Sequence, residues 1–314
     1  MTTTPKPTQP PSGEQYEIAY GHLRVVVTEV GATLRAFNVA GHDVIDGYDI
    51  SERCGDGRGQ VLAPWPNRLG DGRYTFEGTS AAAALDEPDR HNAIHGLVRW
   101  LGWNLLGMAQ NVVTLATVLQ PQPGYPWRLS VTIEYRLGRA GLSVTTEARN
   151  DSDVAAPFGI GFHPYTTVGT PTIDTARLSV AAGRRLTSDE RGLPTGEADV
   201  SGSEFDFRKK RLIGPTVLDT GFCDIERERD DTIRAHLEHP DNERSLTVWA
   251  DSTFKYFMIY TADHVSDPQR SRTAVAIEPM TCPPDALRTG NDLIRLAPGG
   301  TWRGSWGISV KSKN

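Results

Sequence analysis

Polar and apolar residues alternate along much of this chain. In RLSVTIEYRL (128–137), Leu129, Val131, Ile133, Tyr135 and Leu137 fall on one face, and Ser130, Thr132, Glu134 and Arg136 on the other. GLSVTTEARN (141–150) repeats the pattern, with Leu142, Val144, Thr146 and Ala148 on its apolar side. A two-residue period belongs to a half-buried strand, because successive side chains leave opposite faces. The intervening GRAG (138–141) predicts a hairpin. Residues 23–30, 73–78, 112–119, 176–182, 232–239, 245–251, 254–262, 273–280 and 302–312 predict further strands. No stretch of about 12 residues carries apolar positions at helical spacing. Only DPQRSRTAV (267–275) and CPPDALRTGNDL (282–293) suit short helical turns. The pattern predicts an all-β sandwich or barrel of mainly antiparallel strands. It forms a single domain over 16–314, behind a Thr/Pro-rich tail, 1–15, expected to be disordered.

Composition agrees and narrows the partners. The 31 glycines and 21 prolines among 314 residues suit many tight turns. A net charge of -6 disfavours a nucleic-acid backbone as partner. No run of about 18 apolar residues is present to span a membrane. The N-terminal residues lack the apolar core of a secretory leader, so a cytoplasmic protein is expected. Cys54, Cys223 and Cys282 form no CxxC pair and are expected to be reduced thiols.

Candidate chemistry lies where polar side chains sit beside residues that restrict the backbone. In APWPNRLGDGRYTFEG (63–78), two prolines precede Asn67 and Arg68, and an arginine so presented offers a fork of donors to hydroxyls or a carboxylate. RHNAIHGLVRWLGW (90–103) holds His91, His95 and Arg99; Gly96 and the tryptophans argue against a helix that would let the two histidines share a metal. In FGIGFHPYTTVG (158–169), Pro164 pushes His163 into an extended conformation, and Gly159 and Gly161 leave room for another chain or a ligand. In AIEPMTCPPDAL (276–287), Glu278 ends an apolar strand and is locked by Pro279, as suits a general base; Asp285 is its rival or a helix cap. In VLDTGFCDI (217–225), Asp219 precedes a Gly-Phe turn and suits sugar hydroxyls or a plain turn. Metal-ligand clusters, phosphate loops and a G-x-S-x-G elbow are missing.

Taken in order, NRLGDGRYTFEG (67–78), IHG (94–96), GFHPY (161–165), LDTGF (218–222) and IEPMTCPPDA (277–286) resemble the aldose 1-epimerase (galactose mutarotase) family. HGLVRW and EPMTCPPDA look most like a bacterial branch of it. The resemblance implies a β-supersandwich, no metal or organic cofactor, and a monosaccharide substrate such as a hexose, handled by a monomer or homodimer. It gives Glu278 the part of general base and His163 that of general acid, with Glu278 ionised and His163 protonated at the start. Arg68, His95, Asp219 and Asn67 would hold the sugar. Trp65, Trp127 and Phe222 are candidates for stacking on it. The sequence departs from the family at Met258, where a glutamine is expected, and the loop 81–90 is unusual enough to reshape the cleft mouth. Three other readings stand beside this one. A mutarotase for a phosphorylated or modified sugar would draw on Arg99 or Arg288. A carbohydrate-binding protein would keep the pocket without turnover. A glycosidase would pair Glu278 with Asp219 or Asp285.

Overall fold

The computed structural model describes residues 9–241 and 243–311. Its frame is two large antiparallel sheets. The nine-stranded sheet runs, in spatial order, Asn104–Ala109, Val112–Leu119, Leu129–Gly138, Gly141–Asn150, Thr301–Lys311, Ser245–Ala250, Ile233–Glu238, Arg177–Val180 and Arg211–Leu212. Leu129–Gly138 follows its predicted alternation, with Leu129, Val131, Ile133, Tyr135 and Leu137 buried. Gly138 pairs with Gly141, so the GRAG hairpin forms as expected. Each fully buried aliphatic side chain of such a face contributes about 1.5–3 kcal/mol.

The second sheet carries the site. Pro194–Asp199, Ala182–Ser188, Asp219–Ile225, Tyr256–Tyr260, Val275–Met280, Gly161–Phe162 and Val61–Leu62 lie side by side, and Tyr165–Thr166 also pairs with Val275–Met280. Phe162 of this sheet packs on Trp306 of the other at 4.9 Å between ring centroids. One apolar core runs through both sheets, making the β-sandwich that the pattern predicts. A four-stranded sheet (Gln15–Tyr20, Leu23–Thr28, Leu34–Val39, His42–Asp43) closes one end, where the Tyr135 hydroxyl donates to the Ala32 carbonyl at 2.6 Å. The expected helical turns appear as a 3-10 turn at Pro268–Arg270 and a short helix at Ala286–Thr289.

Two expectations are corrected here. The tail ends earlier than residue 15: Ser12 is buried, its carbonyl accepts from Val30 N, and Gln15 opens a strand. Residues 1–8 lie outside the described residues. Asp219 does not precede a Gly-Phe turn but begins the strand Asp219–Ile225. Gly221 packs there without turning the chain, because a Cβ on it would come within 2.8 Å of Leu186 Cδ1.

Candidate active site

Strand register builds the centre of the site. Gly161 lies opposite Met280, and Tyr165 opposite Ala276. In an extended chain, the alternate residue between them, His163, falls opposite Glu278. The structure bears this out, with His163 Nε2 3.3 Å from Glu278 Oε1. On the other side of Glu278 the same row continues through Met258 to Gly221. The next row holds Tyr165, Ala276, Tyr260 and Asp219. A Cβ on Gly161 would lie 2.9 Å from Pro66 Cβ and 3.0 Å from Met280 Cγ, so the room at Gly161 is taken by neighbouring chain.

The arginine and second histidine arrive together. Arg68–Gly70 pairs with Asn92–Ile94, placing Arg68 opposite Ile94. His95 N donates to the Asn67 carbonyl at 2.9 Å, and the Asn67 side chain accepts from Arg68 N at 2.8 Å. His95 then meets His163 edge-on, with ring centroids 5.3 Å apart. Arg68 is held on two sides. Its Nε and Nη2 donate to the carboxylate oxygens of Glu87 at 3.0–3.2 Å, and its Nη1 donates to Asp219 at 3.3 Å.

These groups open onto a cleft of about 800 Å³, lined by Asn67, Arg68, His95, His163, Asp219 and Glu278 among others. All six site residues expected from the sequence therefore converge. From the unusual loop, Asp86, Glu87, Asp89 and Arg90 also line the cleft. Glu87 and Asp86, which reading the sequence missed, both act on the cleft's cations: Glu87 holds Arg68, while Asp86 pairs with Arg99 and accepts from Ile94 N. The acidic DEPD run beside the IHG motif is the only local signal of this role.

Other expectations fail. Trp65, Trp127 and Phe222 are core residues, and Trp127 packs among Tyr74, Phe76 and Tyr125. The aromatic rings on the cleft are Trp100, Tyr165 and Tyr260. Asp285 lies at the start of the short helix, but its carboxylate accepts from Gly70 N at 2.9 Å and pairs with Arg288. Neither is therefore free for the cleft. His91 sits outside it, bonded to Asp71 at 2.8 Å. The three cysteines are buried free thiols.

Burial sets the protonation of the centre. It is the largest influence pushing the His163 imidazole down to about 3; a backbone hydrogen bond opposes it, and Arg58 and Arg99 add to it. Burial, with Asp219 nearby, holds the Glu278 carboxyl well above its ordinary range, partly opposed by Arg68. His95 is pushed well down by burial, His163, Arg99 and Arg68. Both shifts favour a neutral imidazole and a protonated carboxyl, the tautomer of the imidazolium and carboxylate expected from the sequence. The two forms carry the same net charge and differ by one proton transfer along the 3.3 Å contact. Among the described residues, Glu278 Oε2 and the Nδ1 atoms of His163 and His95 have no hydrogen-bond partner. Buried polar atoms are seldom left so.

Comparison with known proteins follows the same line. The family model described as aldose 1-epimerase matches residues 14–309. The uncharacterized protein YihR of Escherichia coli K12 is 30% identical over 289 residues, covering 92% of this chain and 90% of its own length. Galactose mutarotase of Sus scrofa is 26% identical over 289 residues, covering 84% of this chain and 82% of its own. Among solved structures, the GalM/aldose epimerase homologue from C. elegans superposes with a TM-score of 0.82 at 18% identity, over 96% of this chain and 99% of that one. Galactose 1-epimerase from Lactobacillus acidophilus NCFM superposes with a TM-score of 0.79 at 20% identity, over 98% of each chain.

Proposed function

This chain belongs to the aldose 1-epimerase family, and we propose that it interconverts the α and β anomers of an aldose by opening and reclosing the sugar ring. The observation that carries this reading is the contact between His163 and Glu278, 3.3 Å apart, both buried and both lining the cleft. Ring opening moves two protons at one carbon. The C1 hydroxyl loses its proton, the ring oxygen gains one, and the C1–O5 bond breaks to leave an aldehyde. Both oxygens are bonded to C1, so adjacent acid and base groups can serve them together.

In this reading, the sugar draws the shared proton from Glu278 to His163 as it binds. Glu278 then takes the proton of the C1 hydroxyl while His163 gives its proton to O5. Rotation about C1–C2 presents the other carbonyl face, and closure reverses both transfers. The pair ends with the protons it began with. Asn67, Arg68, His95 and Asp219 bind and orient the hydroxyls. Arg68, fixed by Glu87, is a preorganised donor that need not rearrange during the reaction. NMR exchange spectroscopy on a panel of aldoses tests the proposal. Faster anomer exchange with the protein, lost in Glu278→Gln and His163→Asn, is expected; binding without faster exchange would overturn it.

A second reading keeps the chemistry and changes the sugar. Arg53 and Arg99 flank Trp100 at the cleft mouth, within 5.7 and 5.6 Å of its ring centroid, where a substituent carrying negative charge could meet them. Including phosphorylated and otherwise anionic aldoses in the panel decides between the two: preference for the neutral sugars removes the second reading.

A further inference from the structure

His163 is backed by a buried cation that it does not touch. Its ring stacks on Tyr165, with centroids 5.0 Å apart and planes within 15°. The Arg58 guanidinium lies 4.2 Å from the centre of the same tyrosine ring. Arg58 is 2% exposed, and Gly57 beside it approaches so closely that a Cβ would meet the imidazole at 3.2 Å. The tyrosine is itself fixed, its hydroxyl donating to the Asp56 carbonyl at 3.0 Å. Arg58 donates to Asp46 at 2.8 Å, and Asp46 also pairs with Arg270 and accepts from Thr273 Oγ at 3.1 Å.

We propose that Arg58, seated behind Tyr165, is a positioning residue that keeps a second proton off the His163–Glu278 pair and thereby sets the acid limit of turnover. The proposal rests on the mutarotase reading above. A pair holding one proton has both an acid and a base; a pair holding two has no base and cannot take the C1 proton. The second proton would have to go on His163. Arg58 and Arg99 oppose it there, while Glu278 could stabilise it only by giving up its own proton. The neutral rings of His95 and Tyr165 supply no countercharge, while the Asp56 carboxylate, held by Ser266, lies 3.9 Å from Arg58 Nε and offsets part of that cation's charge. Burial acts in the same direction and is the larger influence. By the two stacking distances, the guanidinium is at most about 9 Å from the imidazole, close enough in a buried site to move its titration by up to about one pH unit, the upper bound because Asp46 and Asp56 offset part of its charge.

The test uses the full chain with 13C-labelled histidine, the His163 resonance being assigned by its loss in His163→Asn. Arg58→Met should raise the His163 midpoint by up to about one pH unit and move the acid limb of anomer exchange up by the same amount. Arg58→Lys keeps the charge and should leave both near their wild-type positions. Asp46 retains Arg270 and Thr273 in either variant; if the methionine variant does not fold, Arg58→Gln takes its place with the same expectation. An unmoved His163 midpoint in a folded, uncharged variant would overturn the proposal, as would an equal shift in Arg58→Lys. The two readings fail separately. A midpoint that moves in a protein without anomerase activity refutes the mutarotase reading and with it the limit on turnover, while a wild type that anomerises and an Arg58→Met acid limb that stays put refutes only the role of Arg58.

Discussion

Replacing Glu278 by Gln probes the catalytic centre through stability as well as rate. Burial pushes His163 down to about 3 and Glu278 well up, which favours a folded pair with one proton, on Glu278. In the unfolded chain the two groups titrate near pH 4.3 and 6.5. Between about pH 3 and 4.3 the unfolded pair holds two protons against one in the fold, so stability rises with pH. From about 4.3 to 6.5 each state holds one, and the pair contributes no slope. Above about 6.5 the unfolded pair holds none while the fold still holds the Glu278 proton. Stability then falls by about 1.4 kcal/mol per pH unit until Glu278 ionises in the fold. A group raised by folding stabilises most below its unfolded value and loses that contribution as pH rises, and Glu278 follows this sign.

Glutamine keeps the shape and removes the titration. The variant has no slope from this pair above about pH 6.5 and should gain on the wild type by about 1.4 kcal/mol for each pH unit over which Glu278 stays protonated in the fold. Urea unfolding at several pH values in that interval measures the difference. Anomer exchange on the same samples should fall at least about 100-fold, the lower bound for losing a positioned acid–base group. A stability difference that stays constant with pH would show that Glu278 is already ionised in the resting fold. Activity within tenfold of wild type would remove it from the chemistry.

The remaining predictions concern the groups around the pair. Glu87→Gln frees one side of Arg68 and should raise KM about tenfold, the equivalent of about 1.4 kcal/mol, with kcat within about threefold; an equal loss in kcat would mean that Arg68 acts mainly in the transition state. Met258→Gln places an amide beside Glu278 and should change the ranking of aldoses by kcat/KM, at a stability cost of about 1–3 kcal/mol for a buried amide; an unchanged ranking would show that this row does not read the sugar. Gly161→Ala meets Pro66, Met280 and the Pro279 carbonyl within 3.2 Å and should cost about 1–3 kcal/mol of unfolding free energy while disturbing His163; a change below about 0.5 kcal/mol would refute the packing argument.

What was legible in the sequence depended on how each residue is buried. Leu129–Gly138 and Gly141–Asn150 have one face in the core and one in water, so their alternation is written in the residues. Asn104–Ala109 is exposed throughout and carries no alternation to read. In Asp219–Ile225, the four residues from Thr220 to Cys223 are buried in succession, and a glycine fits against Leu186, so a strand resembled a turn. The site residues were legible because prolines and glycines mark them, and those markers turn out to pack chain against chain. The stacking tryptophans were misread because a large apolar ring gives the same signal in a core as at a cleft. Arg58 was hidden for the opposite reason: within GDGRGQ it looks like a solvated turn, and only the fold lays Tyr165 across it. The chemistry needs His163 and Glu278, 115 residues apart in sequence, to meet within 3.3 Å. That meeting is fixed by the pairing of Gly161 with Met280 and Tyr165 with Ala276, a register to which each local motif contributes only one edge. The proton balance depends on still more distant neighbours. Residue identity therefore announces the acid and the base, while the packing around them decides which holds the proton before the sugar arrives.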